Sequence, residues 1–345
     1  MKLMVDDAVW GFNKIFSEFG EVVTLPGRDI SRESLLDCDM LIVRSRTQVN
    51  QELLEGTKIS FVGSTVAGLD HIDESYLYKN NIAFSSAQGC NANAVAEYVI
   101  SALANLAHDY CFNLTEKSLG IIGVGNVGRR LDFKARQLGM TTLLNDPPRE
   151  EKEGADGYVS LENALSADIV TFHTPLTNNG PYPTHNLLGS QNFNLITEDT
   201  ILINAARGGI IDEAIWETIN TKANIIDCWE NEPNINRTLQ KSAYWSTPHI
   251  AGHSIDAKFM GSFMIYKELC KFTQKPMNSE IETLINPDSM VIEEKTLHAT
   301  LNSIYSFKDD DEVISDISKF EDYRRNYPER FEWHHFKTQF DIPRK

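Results

Sequence analysis

The sequence predicts an α/β fold of two doubly wound units with parallel sheets, followed by a small C-terminal α+β module. Three observations predict it. Short, β-rich apolar runs alternate with helical stretches through most of the chain, and such alternation lays parallel strands under crossover helices. One apolar strand runs through a glycine turn straight into a helix, "GIIGVGNVGRRLDFKARQLG". After residue 280 the alternation gives way to "DDDEVISDISKFEDYRRNYPERFEWHHF", rich in charge and aromatics, which reads as an appended module.

The elements follow in order. "KLMVD" (2–6) and "EVVTLP" (21–26) are expected as strands around an amphipathic helix in "WGFNKIFSEFG", which closes on Gly20. "DMLIVRS" (39–45) and "KISFVGS" (58–64) are apolar runs of strand length. Residues 93–109, "NAVAEYVISALANLAHD", form the strongest long helix. Strand, glycine turn and helix come next, and further βα units run through "ADIVTFHTPL", "TILINAARGG" and "NIIDCWENEP". The helix after His253 is expected to cross back and complete the first unit. The expected organisation is therefore 1–92 with 255–280 as a substrate-binding domain, 93–254 as a dinucleotide-binding domain, and 281–345 as the appended module. A cleft between the first two is expected to hold the chemistry.

Composition narrows the function classes. With 32 Lys and Arg against 49 Asp and Glu, the net charge is −17 over 345 residues, which argues against nucleic-acid and anionic-membrane partners. An anionic substrate then needs a locally basic pocket. Five cysteines, Cys38, Cys90, Cys111, Cys228 and Cys270, are odd in number and form no C-x-x-C, as reduced thiols of a cytosolic protein would. "MKLMVDDAVW" turns acidic at residue 6 and lacks a signal-peptide core, and no apolar run approaches the ~20 residues of a membrane span. A cytoplasmic protein is expected.

"GVGNVG" (123–128) matches G-x-G-x-x-G, and its place between a strand and a helix gives the motif weight. Gly123, Gly125 and Gly128 allow the tight turn and let the backbone approach a pyrophosphate on the positive end of the helix. The acidic residue expected at the end of the next strand is Asp146, in "TTLLNDPPR". A carboxylate there accepts hydrogen bonds from the ribose hydroxyls and repels a 2′-phosphate, so NAD is expected over NADP. Arg149 lies nearby, but two prolines intervene.

Three later segments carry charged groups at strand ends, where α/β sheets place ligands. "ILINAARGGIIDE" leads into Arg207, flanked by the small Ala205, Ala206, Gly208 and Gly209, which let a bulky group approach. An arginine fork there suits a carboxylate and an adjacent carbonyl. "IIDCWENEP" offers Asp227, Glu230 and Glu232, and "TPHIAGH" offers His249 and His253. Arginine, carboxylate and histidine together suit oxidation of a 2-hydroxy acid: the arginine anchors the acid, the histidine takes the hydroxyl proton, and NAD accepts the hydride. A carboxylate behind the histidine orients the ring and stabilises its protonated form. His249 and His253 have the i, i+4 spacing of a metal pair, but Pro248 and Gly252 break any common helical face and H-E-x-x-H is absent, so no metal is expected. His173, in "TFHTPLT", is expected to structure its loop, and His334 and His335 to be solvated.

Taken together, "GIIGVGNVG", "ADIVTFHTPLT", "ILINAARGGIIDE", "DCWENEP" and "TPHIAGH" resemble the D-isomer-specific 2-hydroxyacid dehydrogenases over roughly residues 1–275. "VDDAVW", "VRSRTQVNQELL", "FVGSTVAGLDHID", "GCNANAVAEYV", "NDPPR", "GPYPTHNL" and the tail "FEDYRRNYPERFEW" resemble one branch of that family. That branch oxidises 4-phospho-D-erythronate on the vitamin B6 route and carries an extra C-terminal dimerisation domain. The resemblance implies Arg207, Glu232 and His249 as catalytic residues. It implies Asn126, Val127, Asp146, Thr174, Ala205, Ala206, Arg207, Asp227 and Gly252 at cofactor-contacting positions. Ser45 and Thr65 fall on substrate-contacting positions, and a homodimer through 281–345 is implied.

The residues fit a phosphorylated substrate. Arg44 and Arg46 bracket Ser45 at the end of an expected strand, where period-2 alternation would turn both guanidiniums to one pocket. His253 stands where the family carries tyrosine, and an imidazole still donates a hydrogen bond to substrate. The alternatives are a dehydrogenase for another D-2-hydroxy acid, such as glycerate or phosphoglycerate, and a non-catalytic NAD-sensing protein.

Overall fold

The structure, a computed structural model, describes residues 1–285 and 289–344. They fall into two compact units, Met1–Asn91 with Ser254–Asp288, and Ala92–His253 with Ser289–Lys345.

The first unit is built on five parallel strands in the order β2-β1-β3-β4-β5, with β1 Lys2–Asp6, β2 Glu21–Leu25, β3 Met40–Val43, β4 Phe61–Ser64 and β5 Ala83–Ser86. β3 reads MLIV and is buried along its whole length, as a strand covered on both faces must be. The strand is shorter than the 39–45 run suggests. It ends at Val43, and Arg44, Ser45 and Arg46 lie in the turn beyond it, so strand alternation does not orient the two arginines. Helix Ile255–Thr273 packs on β4 and β5, and its Gly261 lies so close to the Thr65 carbonyl that a Cβ would stand 2.2 Å from the oxygen. The crossing-back helix therefore completes this unit.

The second unit carries six parallel strands in the order β11-β10-β9-β8-β6-β7. They are β6 Ser118–Ile122, β7 Thr141–Asn145, β8 Ile169–Phe172, β9 Ile201–Asn204, β10 Ala223–Ile226 and β11 Trp245–Ser246. The winding reverses between β6 and β8, which puts the topological switch point of a Rossmann-like sheet beside the glycine turn.

Helix Ala92–Asp109 is apolar on nearly all sides, with Val95, Tyr98, Val99, Ile100, Leu103 and Leu106 buried. A helix of that kind needs cover all round, and the tail supplies the part that the sheet and helix Asn126–Gln137 do not. Leu301, Tyr305, Phe307, Tyr327 and Trp333 share one core with this helix and with β6, and helix Leu297–Ile304 packs against it. Residues 281–345 are expected from the sequence as a module of their own; in the structure Ser289–Lys345 joins the dinucleotide-binding unit, because it covers the part of that helix that the sheet and helix Asn126–Gln137 leave exposed. The junction is also polar. Asn93 donates to Glu332 at 2.6 Å and to Glu97 at 2.8 Å, and the buried Lys134 ammonium donates to the Pro343 carbonyl at 2.8 Å. β12 Met290–Ile292 and β13 Phe336–Thr338 form a separate two-stranded parallel sheet.

Candidate active site

The glycine turn is built as its chemistry requires. Gly123 has φ 91°, and a Cβ there would press on the His173 carbonyl carbon at 2.7 Å; one on Gly128 would stand 2.2 Å from the Gly123 oxygen. Gly125, which opens helix Asn126–Gln137, differs: its Cβ direction meets nothing within 4 Å. Two glycines are thus needed for packing, and the third leaves bare backbone facing open space, a cradle that fits a pyrophosphate at a helix start. Asn126 is exposed beside it and Val127 half-buried. Asp146, at the end of β7, accepts from Val124 N at 2.7 Å and from Arg149 N at 3.2 Å. A carboxylate has about four acceptor positions, so it ties down the glycine turn and retains capacity for ribose hydroxyls. Arg149 Nε stands 4.0 Å from the same carboxylate. These residues fit NAD.

His173 is a packing residue. Burial holds its imidazole down to about 3, and Nε2 lies 3.0 Å from Thr171 Oγ1. Burial thus favours its neutral form. The Thr174 hydroxyl beside it is buried with no hydrogen-bond partner among the described residues.

The loops after β9, β10 and β11 converge through hydrogen bonds. Asn204 organises the first: its amide donates to the Arg207 carbonyl at 2.9 Å, and its Oδ1 accepts from Ala206 N at 3.1 Å. Ala205 and Ala206 are buried, and Arg207 Nη1 donates to the Ala206 carbonyl at 2.8 Å. Gly208 is needed because the chain crosses the β10 loop closely; a Cβ would stand 2.0 Å from the Trp229 oxygen.

Asp227 is the centre of the second loop. Its Oδ1 accepts from Thr247 Oγ1 at 2.7 Å and from Ile250 N at 2.7 Å, and its Oδ2 from Ala251 N at 3.0 Å. Tyr98, from the long helix, lies 2.7 Å from Thr247 Oγ1. The single Thr247 hydroxyl proton goes to the carboxylate, so Tyr98 is the donor in that pair. This chain of hydrogen bonds holds His249 in a left-handed backbone conformation, φ 55°, which costs a non-glycine residue about 1 kcal/mol or more.

The result is a histidine–carboxylate pair. His249 Nδ1 lies 3.0 and 2.9 Å from the two Glu232 oxygens, and Glu232 Oε1 also accepts from Trp229 N at 3.0 Å. Burial alone would raise the Glu232 carboxyl, but the opposing pull of His249 and Arg324 outweighs it and holds the group below its ordinary range. An ionised carboxylate accepts only, so Nδ1 carries the proton and Nε2 is left as the acceptor. Cys228 Sγ lies within 4.8 Å of these donors, and burial keeps its thiol protonated. The peptide continues through the half-buried Gly252 to His253, whose N–H donates to Ile250 O at 2.8 Å and whose ring meets the Tyr327 ring edge-on.

In the first unit, Arg44, Ser45 and Arg46 follow β3 at its carboxyl end, beside the β1/β3 switch point. Arg44 Nη1 donates to Ala8 O at 3.1 Å, and Thr65 Oγ1 to Val43 O at 3.3 Å. Sequence reasoning missed Asn204, Thr247, Tyr98, Arg324 and Glu213. The last accepts from Glu230 N at 2.7 Å, and burial raises its carboxyl to about 7. Asn204 alone had a local signal, a side-chain amide at the carboxyl end of an expected strand.

The fold and the paired loops define the class, and comparison agrees. Residues 95–251 match the D-isomer specific 2-hydroxyacid dehydrogenase NAD-binding domain. The chain belongs to the D-isomer-specific 2-hydroxyacid dehydrogenase family, whose members are NAD-dependent oxidoreductases. It is similar, more particularly, to the erythronate-4-phosphate dehydrogenase of Ruthia magnifica subsp. Calyptogena magnifica, 57% identical over 343 residues and covering 99% of each chain. The enzyme of that name from Hydrogenovibrio crunogenus is 50% identical, covering 96% of this chain and 92% of its own. Among solved structures, NAD-bound 3-phosphoglycerate dehydrogenase from Entamoeba histolytica shares the fold, with a TM-score of 0.67 at 24% identity over 83% of this chain and 99% of that one.

Proposed function

We propose that this chain oxidises 4-phospho-D-erythronate to (R)-3-hydroxy-2-oxo-4-phosphooxybutanoate with NAD, a step of pyridoxal 5'-phosphate biosynthesis. The observation that carries the chemistry is the Glu232–His249 pair with Nε2 left as acceptor. The relatives at 57% and 50% identity carry the substrate.

Arg207 holds the substrate carboxylate, and the turn bonded by Asn204 fixes where its backbone sits. His249 Nε2 takes the C2 hydroxyl proton, and Glu232 stabilises the imidazolium that results. Bound NAD supplies the acceptor for the hydride leaving C2. Arg44, Ser45, Arg46 and Thr65 take the remainder of the substrate, the two cations serving the phosphate. His253 contributes a hydrogen-bond donor.

We further propose a cytoplasmic homodimer through the tail. None of the five cysteines is disulfide-bonded among the described residues, and no helix among them is long and apolar enough to cross a membrane. The β12–β13 sheet has only two strands and exposes Val291, which leaves edges for a second copy. Sedimentation equilibrium tests this: Val291→Asp should shift dimer to monomer.

The deciding assay is turnover of 4-phosphoerythronate, glycerate and 3-phosphoglycerate with NAD and a 2-oxo acid acceptor. kcat/KM for 4-phosphoerythronate should exceed the others by at least about a hundredfold. Preference for glycerate, or NADH binding without turnover of any, would overturn the reading.

A further inference from the structure

We propose that Arg324, carried by the tail helix Phe320–Arg325, is a positioning residue for the Glu232–His249 pair. The inference rests on the function proposed above. Arg324 Nη1 stands 3.7 Å from Glu232 Oε2, the same oxygen that lies 2.9 Å from His249 Nδ1. Glu232 Oε1 is occupied by Trp229 N and His249. The carboxylate is therefore gripped from three directions, and the tail provides one of them. Both side chains are about four-fifths buried, 21% and 19% exposed, so the pair is shielded from the screening that makes surface ion pairs weak.

Arg324 does not act on this loop alone. Arg330 Nη2 donates to Ala251 O at 2.5 Å, and the Tyr327 ring meets His253 at 5.7 Å. Arg330 is itself held over the Tyr305 and Tyr327 rings, whose hydroxyls donate to Asp310 at 2.6 and 2.8 Å. A seven-residue stretch of tail thus touches the catalytic loops at Glu232, Ala251 and His253. The tail lies outside residues 95–251, the part matching the family's cofactor domain, so this grip is an addition to it.

A cation fixed beside Glu232 keeps the carboxylate ionised, and so keeps Nδ1 as donor and Nε2 as acceptor. It also opposes the charge that His249 gains when it takes the substrate proton, which keeps the imidazole ready to release it. Among the described residues Asp227 and Cys228 also act on this pair, and Arg207 acts on Cys228.

The test uses the full chain with Arg324→Met, Arg324→Gln as a second neutral variant, and Arg324→Lys. The neutral variants should lower kcat about tenfold, hold the Kd for NADH within about twofold, and move the acid limb of the pH–rate profile up by roughly half a unit. Arg324→Lys should recover kcat to within about threefold of wild type. In a Glu232→Gln background, Arg324→Met should cost less than about twofold, since its partner is gone. A substrate-free readout separates this inference from the assigned reaction: the nitrogen NMR titration midpoint of His249 should rise in the neutral variants. Wild type without turnover would sink the assigned reaction and leave that titration as the judge. An unmoved titration, equal losses in the Met and Lys variants, or a full additional loss on Glu232→Gln would overturn the role given to Arg324.

Discussion

Thr247→Val isolates the hydrogen bonds that shape the catalytic loop, because valine matches threonine in shape and lacks only the hydroxyl. Thr247, Tyr98 and Asp227 are all essentially inaccessible to water, at 0%, 1% and 1% exposure. Removing the hydroxyl takes one of the three oxygen and nitrogen donors from the Asp227 carboxylate, worth about 1.5–3 kcal/mol for a bond to a charged group. It also strands the Tyr98 hydroxyl in the core, at about 1–3 kcal/mol. The expected loss is about 4 kcal/mol, a large share of the total stability of a typical domain. Tyr98→Phe alone should cost about 1 kcal/mol, since Thr247 still donates to Asp227. The double variant strands nothing, so it should lose only about 2.5 kcal/mol, and the two changes should be coupled by about 2.5 kcal/mol. Urea unfolding read by tryptophan fluorescence measures all three, since Trp216, Trp229, Trp245 and Trp333 lie in this unit. kcat should fall about tenfold with Thr247→Val, because His249 sits two residues away on the displaced loop. A loss below about 1 kcal/mol, or a strictly additive double variant, would refute the direction assigned to these bonds.

His249→Ala should reduce kcat about a thousandfold while NADH affinity by fluorescence titration changes less than about twofold; turnover near wild type would remove it as the proton carrier. Asp146→Ala should relax the preference for NAD over NADP and also weaken NAD binding, because the same carboxylate holds Val124 N in the glycine turn. An unchanged NAD/NADP ratio would count against the ribose contact. Glu213 gives a pH signature: burial raises its folded-state value to about 7, above the ~4.3 of an unfolded chain, so the folded state holds the extra proton between the two. Its contribution is present below about pH 4 and lost as pH rises toward 7, and Glu213→Gln should flatten that fall in stability, measured by urea unfolding at pH 5 to 8.

Much of the site was legible because its signals are local. Gly123 and Gly128 announce a turn whose close contacts admit only glycine, and Gly125 between them leaves its backbone bare. Asp146 follows at the end of the next strand, and Arg207 stands among small residues. His173 shows where local reading stops: its place in "TFHTPLT" suggested a loop role, and burial that suppresses its charge is what makes it one. For Arg44 and Arg46, β3 ends at Val43, two residues before the apolar run does, so strand alternation does not set their directions in the turn they occupy.

Local pattern in the chain is enough for the parallel α/β architecture, for the glycine turn, and for singling out His249 and Glu232, which the structure pairs. Each depends on residues within a few positions of one another or on a fixed spacing along a βα unit. The tertiary structure decided what holds those residues in working geometry. Tyr98 meets Thr247 across 149 positions, and Arg324 meets Glu232 from a tail that reads as an appendage. Such pairings depend on which faces the core leaves uncovered, a property of the folded surface that no local pattern encodes. Helix Ala92–Asp109 had too much apolar surface for its own sheet to bury. The tail that covers it brings Arg324 to the Glu232–His249 pair.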